Sequence, residues 1–153
     1  MKKLLLIVFM ILNINAFSQT DSTEENSAES VGLTPEGIFL FLDKTKIKTE
    51  FEYGKEYKIW VEGYILTDLV GIQNKLATNY HDVRLKNTYS CKILMHVICG
   101  KDKIKVSKAV YYGEDDSVVA NFDIPNPKYN EVTPGTSGEN VYNLVCDYIN
   151  SKK

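Results

Sequence analysis

The chain has 153 residues, of which 44% are hydrophobic and 25% charged, and a formal net charge of −2. So mild an acidity gives no electrostatic basis for nucleic-acid binding, and no nucleic-acid partner is expected. The length left after the N-terminal segments suits one domain with one core.

Lys2 and Lys3 precede an uninterrupted apolar run over residues 4–12. Ala16 and Ser18 then put small residues at the −3 and −1 positions of a cleavage site before Gln19. Residues 1–18 therefore read as a secretory signal peptide. A spanning helix needs roughly 20 apolar residues, more than this run or any later one supplies, so no membrane span is expected. No cysteine follows the apolar run to carry a lipid anchor. Residues 19–30 are polar and acidic and read as a flexible spacer, which leaves 31–153 as a single domain.

Strands dominate that domain. Residues 37–43 form a short apolar run ending at Asp43. Residues 57–65 put Tyr57, Ile59, Val61 and Ile65 on one face, with Trp60 and Tyr64 on the other beside Lys58 and Glu62. Residues 89–99 carry Cys91, Ile93, Met95, Val97 and Cys99 at one parity. A two-residue turn at Lys101 and Asp102 would lead into a strand over 103–112, placing Cys99 opposite Ile104, Val97 opposite Val106 and Ile93 opposite Val110. Lys108 interrupts that apolar side and predicts a bulge or a side chain reaching to the edge. Residues 117–122 add one more strand. Residues 66–88 read as either a short helix over 68–78 or a long loop.

The tail reads as a helix. Thr136 and Glu139 fit a capping box, and Val141, Leu144, Val145, Tyr148 and Ile149 form an apolar stripe at helical spacing. Cys146 borders the stripe. Cys91 and Cys99 lie about 26 Å apart on an extended strand, too far for a disulfide. Cys146 can then partner Cys99 or Cys91, and parity does not choose between them. Closing either loop would stabilise the fold by about 4 kcal/mol in the chain-entropy model.

Several segments together resemble the surface-adhesin protein E family of exported bacterial domains. They are Ile38 to Ile47, the Ile59-Trp60-Val61 strand, the strand ending at Cys99, Ala109 to Tyr112, and Pro134 to Glu139 followed by Val145-Cys146. The resemblance implies an α+β fold: an antiparallel sheet with the C-terminal helix packed on one face and tied to it by a Cys99–Cys146 bridge. Cys91 is then left unpaired. Tyr129 stands where the family often has tryptophan, and the lipidation cysteine of its best-known member is missing.

No motif points to catalysis. His96 falls opposite Ser107 in the derived register, but a Ser–His nucleophile needs an orienting acid and the hairpin supplies none. His81 and Asp82 have no further ligand at metal spacing, and Glu114-Asp115-Asp116 lacks the alternation of a calcium loop. Lys101, Lys103, Lys105 and Lys108 read as edge-strand lysines that discourage sheet pairing. No enzyme activity, cofactor or metal is expected.

Phe39, Phe41, Trp60 and Tyr64 share the parity opposite to the core. One C-terminal helix covers one face only, so these aromatics need the 66–88 segment, a second protomer or a ligand as cover. They form the candidate binding or homodimer face. The expected function is an exported, non-catalytic binding domain whose partner is an extracellular or envelope protein. The alternative is a periplasmic small-ligand-binding or envelope-structural domain without adhesin activity.

Overall fold

A computed structural model describes residues 28–50 and 56–152; the expected signal peptide and residues 19–27 of the spacer lie outside the described residues. The strands are β1 (Ala28–Leu33), β2 (Phe39–Asp43), β3 (Lys48–Glu50), β4 (Glu56–Tyr64), β5 (Ser90–Ile98), β6 (Lys103–Tyr112), β7 (Val118–Asp123) and β8 (Asn130–Glu131). Two α-helices accompany them, α1 (Leu69–Asn79) and α2 (Ser137–Ser151). One antiparallel sheet runs β1-β2-β4-β5-β6-β7, with β3 on β4 and β8 on β6.

Two of the rows are broken strands. β2 pairs with the second half of β4 and β3 with its first half, the break being a 3-10 turn at Lys44–Lys46 capped by the Asp43 carboxylate. On the far side, β7 and β8 divide β6 in the same way. β1 begins at Ala28, three residues inside the stretch expected to be spacer. Its pairing with β2, the burial of Val31 and an ion pair from Glu29 to Lys44 hold those residues in the sheet.

The hairpin register differs from expectation. Ile98, not Gly100, faces Lys103, and Val97 faces Ile104. Gly100 and Asp102 both take positive φ, so residues 99–102 make a longer loop, and Cys99 leaves the ladder. A slip of two keeps every side chain on its face, which is why the core side of β5 reads correctly. Beyond Val106 the parity of β6 changes. Ser107 is an extra residue opposite the Leu94/Met95 step, so Ile93 faces Ala109, not Val110, and Val110 moves to the side of Lys92. This is the bulge that Lys108 signalled.

Both helices belong to one core. Leu40, Leu42, Ile59, Val61, Cys91, Met95, Val97 and Tyr111 from the sheet pack with Ile72 and Leu76 of α1, Leu85 of the following 3-10 turn, and Val141, Val145 and Cys146 of α2. Asp68 caps α1 by accepting from Gly71 N–H, and Thr136 caps α2 by accepting from Glu139 N–H at 3.3 Å. The Glu139 carboxylate accepts from Gly135 N–H at 2.7 Å, closing the capping box one residue earlier than Thr136 itself. The Cys99–Cys146 disulfide joins α2 to the end of β5, with Cα atoms 5.6 Å apart, and Cys91 is free and buried.

Candidate functional site

The face of the sheet away from the helices has two ends of different character. At the β2 end, register sets Phe39 opposite Tyr64, Phe41 opposite Glu62 and Trp60 opposite Leu94. Phe41 and Tyr64 meet edge to face with centroids 6.0 Å apart. Trp60 and Tyr64 are 38% and 41% exposed, while Phe39 and Phe41 are half-buried.

The 66–88 segment does not cover this band. It folds as α1 and a 3-10 turn whose apolar side chains Ile72, Leu76, Ala77 and Leu85 join the core on the opposite face. A fixed polar group lies within the band instead. Tyr64 Oη donates to Glu62 Oε2 at 3.0 Å, and Lys92 Nζ stands 3.2 Å from Glu62 Oε1. Partial burial opposes ionisation of Glu62, but these two hydrogen bonds and the charges of Lys92 and Lys46 outweigh it and lower its pKa.

At the β6 end, a buried polar cluster replaces the aromatics. His96 Nδ1 is 2.9 Å from Glu56 Oε1, and His96 Nε2 is 2.9 Å from Ser107 Oγ. Lys105 Nζ reaches the same Glu56 oxygen at 3.2 Å and lies over the Tyr129 ring, 4.3 Å from its centroid. Glu56 and His96 are 4% and 6% exposed. Burial pushes the Glu56 carboxyl up, yet hydrogen bonds from Tyr129, His96 and Lys105 more than offset this and hold it below the usual range.

Sequence reading missed Glu56. Its parity puts it on the Trp60 side of β4, but its approach to His96 is diagonal, between the Glu56/Ile98 and Lys58/His96 pairs, and depends on the β4–β5 register. The orienting acid absent from the hairpin thus comes from the neighbouring strand. Ser107 reaches the imidazole from the bulge, not from the position directly opposite, which Lys105 occupies.

The remaining sequence candidates are dispersed. Lys105 is tied to Glu56 and Lys108 Nζ stands 3.1 Å from Asp123, while Lys103 lies opposite Glu131 of β8 in the register and Lys101 is exposed in the loop, so two of the four lysines are held in ion pairs. Asp115 accepts from the Ser117 hydroxyl at 2.6 Å within its own turn. Asp82 is bound by the Arg84 guanidinium. Among the described residues, no group of three or more His, Cys, Asp or Glu side chains is arranged to hold a metal ion.

A hollow of about 430 Å³ opens on the helix side of the sheet, lined chiefly by Ile93, Met95, Val106, Ala109, Tyr111 and Phe122. Tyr80 closes one side, its ring centroid 5.9 Å from Phe122 and 6.2 Å from Tyr111.

The fold defines a two-layer α+β domain, an antiparallel sheet with both helices on one face. Two solved structures of Haemophilus influenzae protein E are similar to it. Crystal form II gives a TM-score of 0.49 at 11% identity, over 88% of this chain and 95% of that chain. Protein E from the non-typeable organism gives 0.47 at 10%, over 84% and 80%. No family model and no curated protein matches the chain. At these values the likeness transfers no residue's role.

Proposed function

We propose that the chain is an exported binding domain that meets an extracellular or envelope macromolecule through the band formed by Phe39, Phe41, Trp60 and Tyr64. The observation that carries this reading is the placement of both helices on the other face, which leaves Trp60 and Tyr64 exposed among the described residues. Aromatic side chains with a polar handle are enriched at recognition surfaces because they bury large area at low entropic cost. The Tyr64–Glu62–Lys92 group adds fixed hydrogen-bonding partners beside them. Binding alone accounts for this end of the face, and no catalytic step is needed there. Export is supported by the N-terminal sequence and by a disulfide of the kind that oxidising compartments maintain. No helix among the described residues is long and apolar enough to cross a membrane.

The test is capture of extracellular-matrix and envelope proteins by the immobilised domain, beside a Trp60→Ser, Tyr64→Ser variant. The reading expects specific capture by the native domain and its loss in the variant. Equal capture by both would overturn it, and self-association lost in the variant would make the partner a second copy. A different observation favours a second reading, a small-ligand domain: the apolar hollow beneath Tyr80. Apolar fluorescent probes displaced by Met95→Trp, with the aromatic band irrelevant, would favour that alternative.

A further inference from the structure

Three adjacent strands bring a hydroxyl, an imidazole and a carboxylate into line. Glu56 comes from β4, His96 from β5 and Ser107 from the bulge in β6, with 2.9 Å on each side of the imidazole. We propose that Ser107 is a nucleophile for acyl transfer from carboxylic esters with good leaving groups, His96 its general base and Glu56 the carboxylate that positions the base.

The geometry fixes the roles. An ionised carboxylate only accepts, so the proton on His96 sits at Nδ1 and is donated to Glu56 Oε1. In the neutral imidazole Nε2 then carries the lone pair facing Ser107 Oγ and accepts from the hydroxyl. The alternative acceptor, the Leu94 carbonyl, stands 3.5 Å from Oγ and competes weakly. Ser107 stands at the bulge, two residues beyond Lys105, and its hydroxyl reaches Nε2 diagonally across the β5–β6 ladder. Glu56 and His96 are buried and Ser107 is half-buried, so the base is shielded and the nucleophile's residue lies nearer the surface than either partner. A nucleophile within hydrogen-bond reach of a base that is held by a third group is the arrangement that activates serine.

In the reaction, Ser107 Oγ forms a bond to the ester carbonyl carbon as its proton passes to His96 Nε2. The carbon–oxygen bond to the leaving group breaks, and the leaving alkoxide or phenoxide takes that proton. Water then attacks the acyl-Ser107 ester by the same route, releasing the carboxylic acid and restoring the hydroxyl. With a fluorophosphonate the phosphorus–oxygen bond forms, fluoride leaves, and the adduct is stable. Nothing is oxidised or reduced. The activity goes beyond the binding role proposed for the aromatic band, which occupies β2 and the second half of β4.

The experiment treats the full native chain with a fluorophosphonate probe and maps the adduct by peptide mass spectrometry, with acetyl transfer from p-nitrophenyl acetate followed in parallel. The expected result is one adduct, at Ser107. Ser107→Ala should abolish labelling, and Glu56→Gln should lower its rate at least about ten-fold by releasing the tautomer of His96. The imidazole ¹⁵N spectrum should show the Nδ1–H form in the native chain, and the labelling rate should rise with pH through the same ionisation that the His96 ¹⁵N shifts report, a coincidence a purely structural histidine would not require. An unlabelled native chain, under conditions that label a serine hydrolase control, would overturn the proposal. So would adducts spread over Ser90 and Ser117. Because mapping uses the unmodified chain, it decides between these outcomes even if a variant fails to fold.

Discussion

The His96 imidazole stands 2.9 Å from the Glu56 carboxylate of the neighbouring strand, and Lys105 reaches the same carboxylate oxygen at 3.2 Å. A buried carboxylate with several donors is stabilising in its ionised form and costly once protonated. Folding therefore lowers the Glu56 pKa from its ordinary 4.5. A group depressed in the folded state contributes stability that is complete above its unfolded value and is lost as pH falls through the folded one. Glu56→Gln is accordingly expected to cost about 1–3 kcal/mol near neutral pH. The gap between the two proteins should narrow below about pH 4.5, measured by urea unfolding across pH. A gap constant from pH 7 to pH 3 would contradict this.

Cys99 and Cys146 tie α2 to the end of β5 across a sequence separation of 47. The link acts chiefly on the unfolded chain, so its removal should lower stability by about 2–4 kcal/mol with the fold retained. Denaturant unfolding with and without reductant, or of Cys99→Ser, Cys146→Ser, checks this. An unchanged midpoint would show that α2 is held by Val141 and Val145 alone.

Cys91 lies in the core, and burial, with a smaller push from Glu36, raises its thiol to about 12. The thiolate is the reactive form, so a disulfide reagent at pH 8 should find no rapid thiol in the native protein and one after denaturation. Rapid native reaction would place Cys91 nearer the surface.

Gly63 makes room for Cys91: a Cβ there would come within 2.6 Å of the Cys91 sulfur and 2.8 Å of Ile38 Cγ2. Gly63→Ala should therefore cost about 1–3 kcal/mol in thermal or chemical unfolding through overpacking. An unperturbed Gly63→Ala protein would mean that Ile38 and Cys91 shift freely.

Much of the architecture is legible in side-chain alternation. Tyr57, Ile59 and Val61 on one side of β4 and Trp60 and Tyr64 on the other follow from a period of two, and Thr136 with Glu139 announces the start of α2. The pairing of Cys146 with Cys99 follows only from the family resemblance, because Cys91 shares the same parity. The hairpin register escapes because it rests on the left-handed conformations of Gly100 and Asp102, which no periodicity encodes, whereas the break in alternation at Lys108 marks the bulge without fixing the register. Glu56 escapes for a related reason. Its partner lies on another strand, and a one-strand reading places it only on a face. The direction in which α1 folds depends on Ile72, Leu76 and Leu85 finding space in the core, again a tertiary matter.

The claim that the aromatic face is where a partner binds is tested most directly through Trp60, the single tryptophan of the chain. Its indole is 38% exposed in the free domain, so its emission reports on this face alone. Titrating the domain with a protein recovered by capture should shift the emission to shorter wavelength and protect it from iodide quenching, with the same midpoint as binding. Saturated binding with unchanged emission and undiminished quenching would contradict the account and place the partner elsewhere on the molecule.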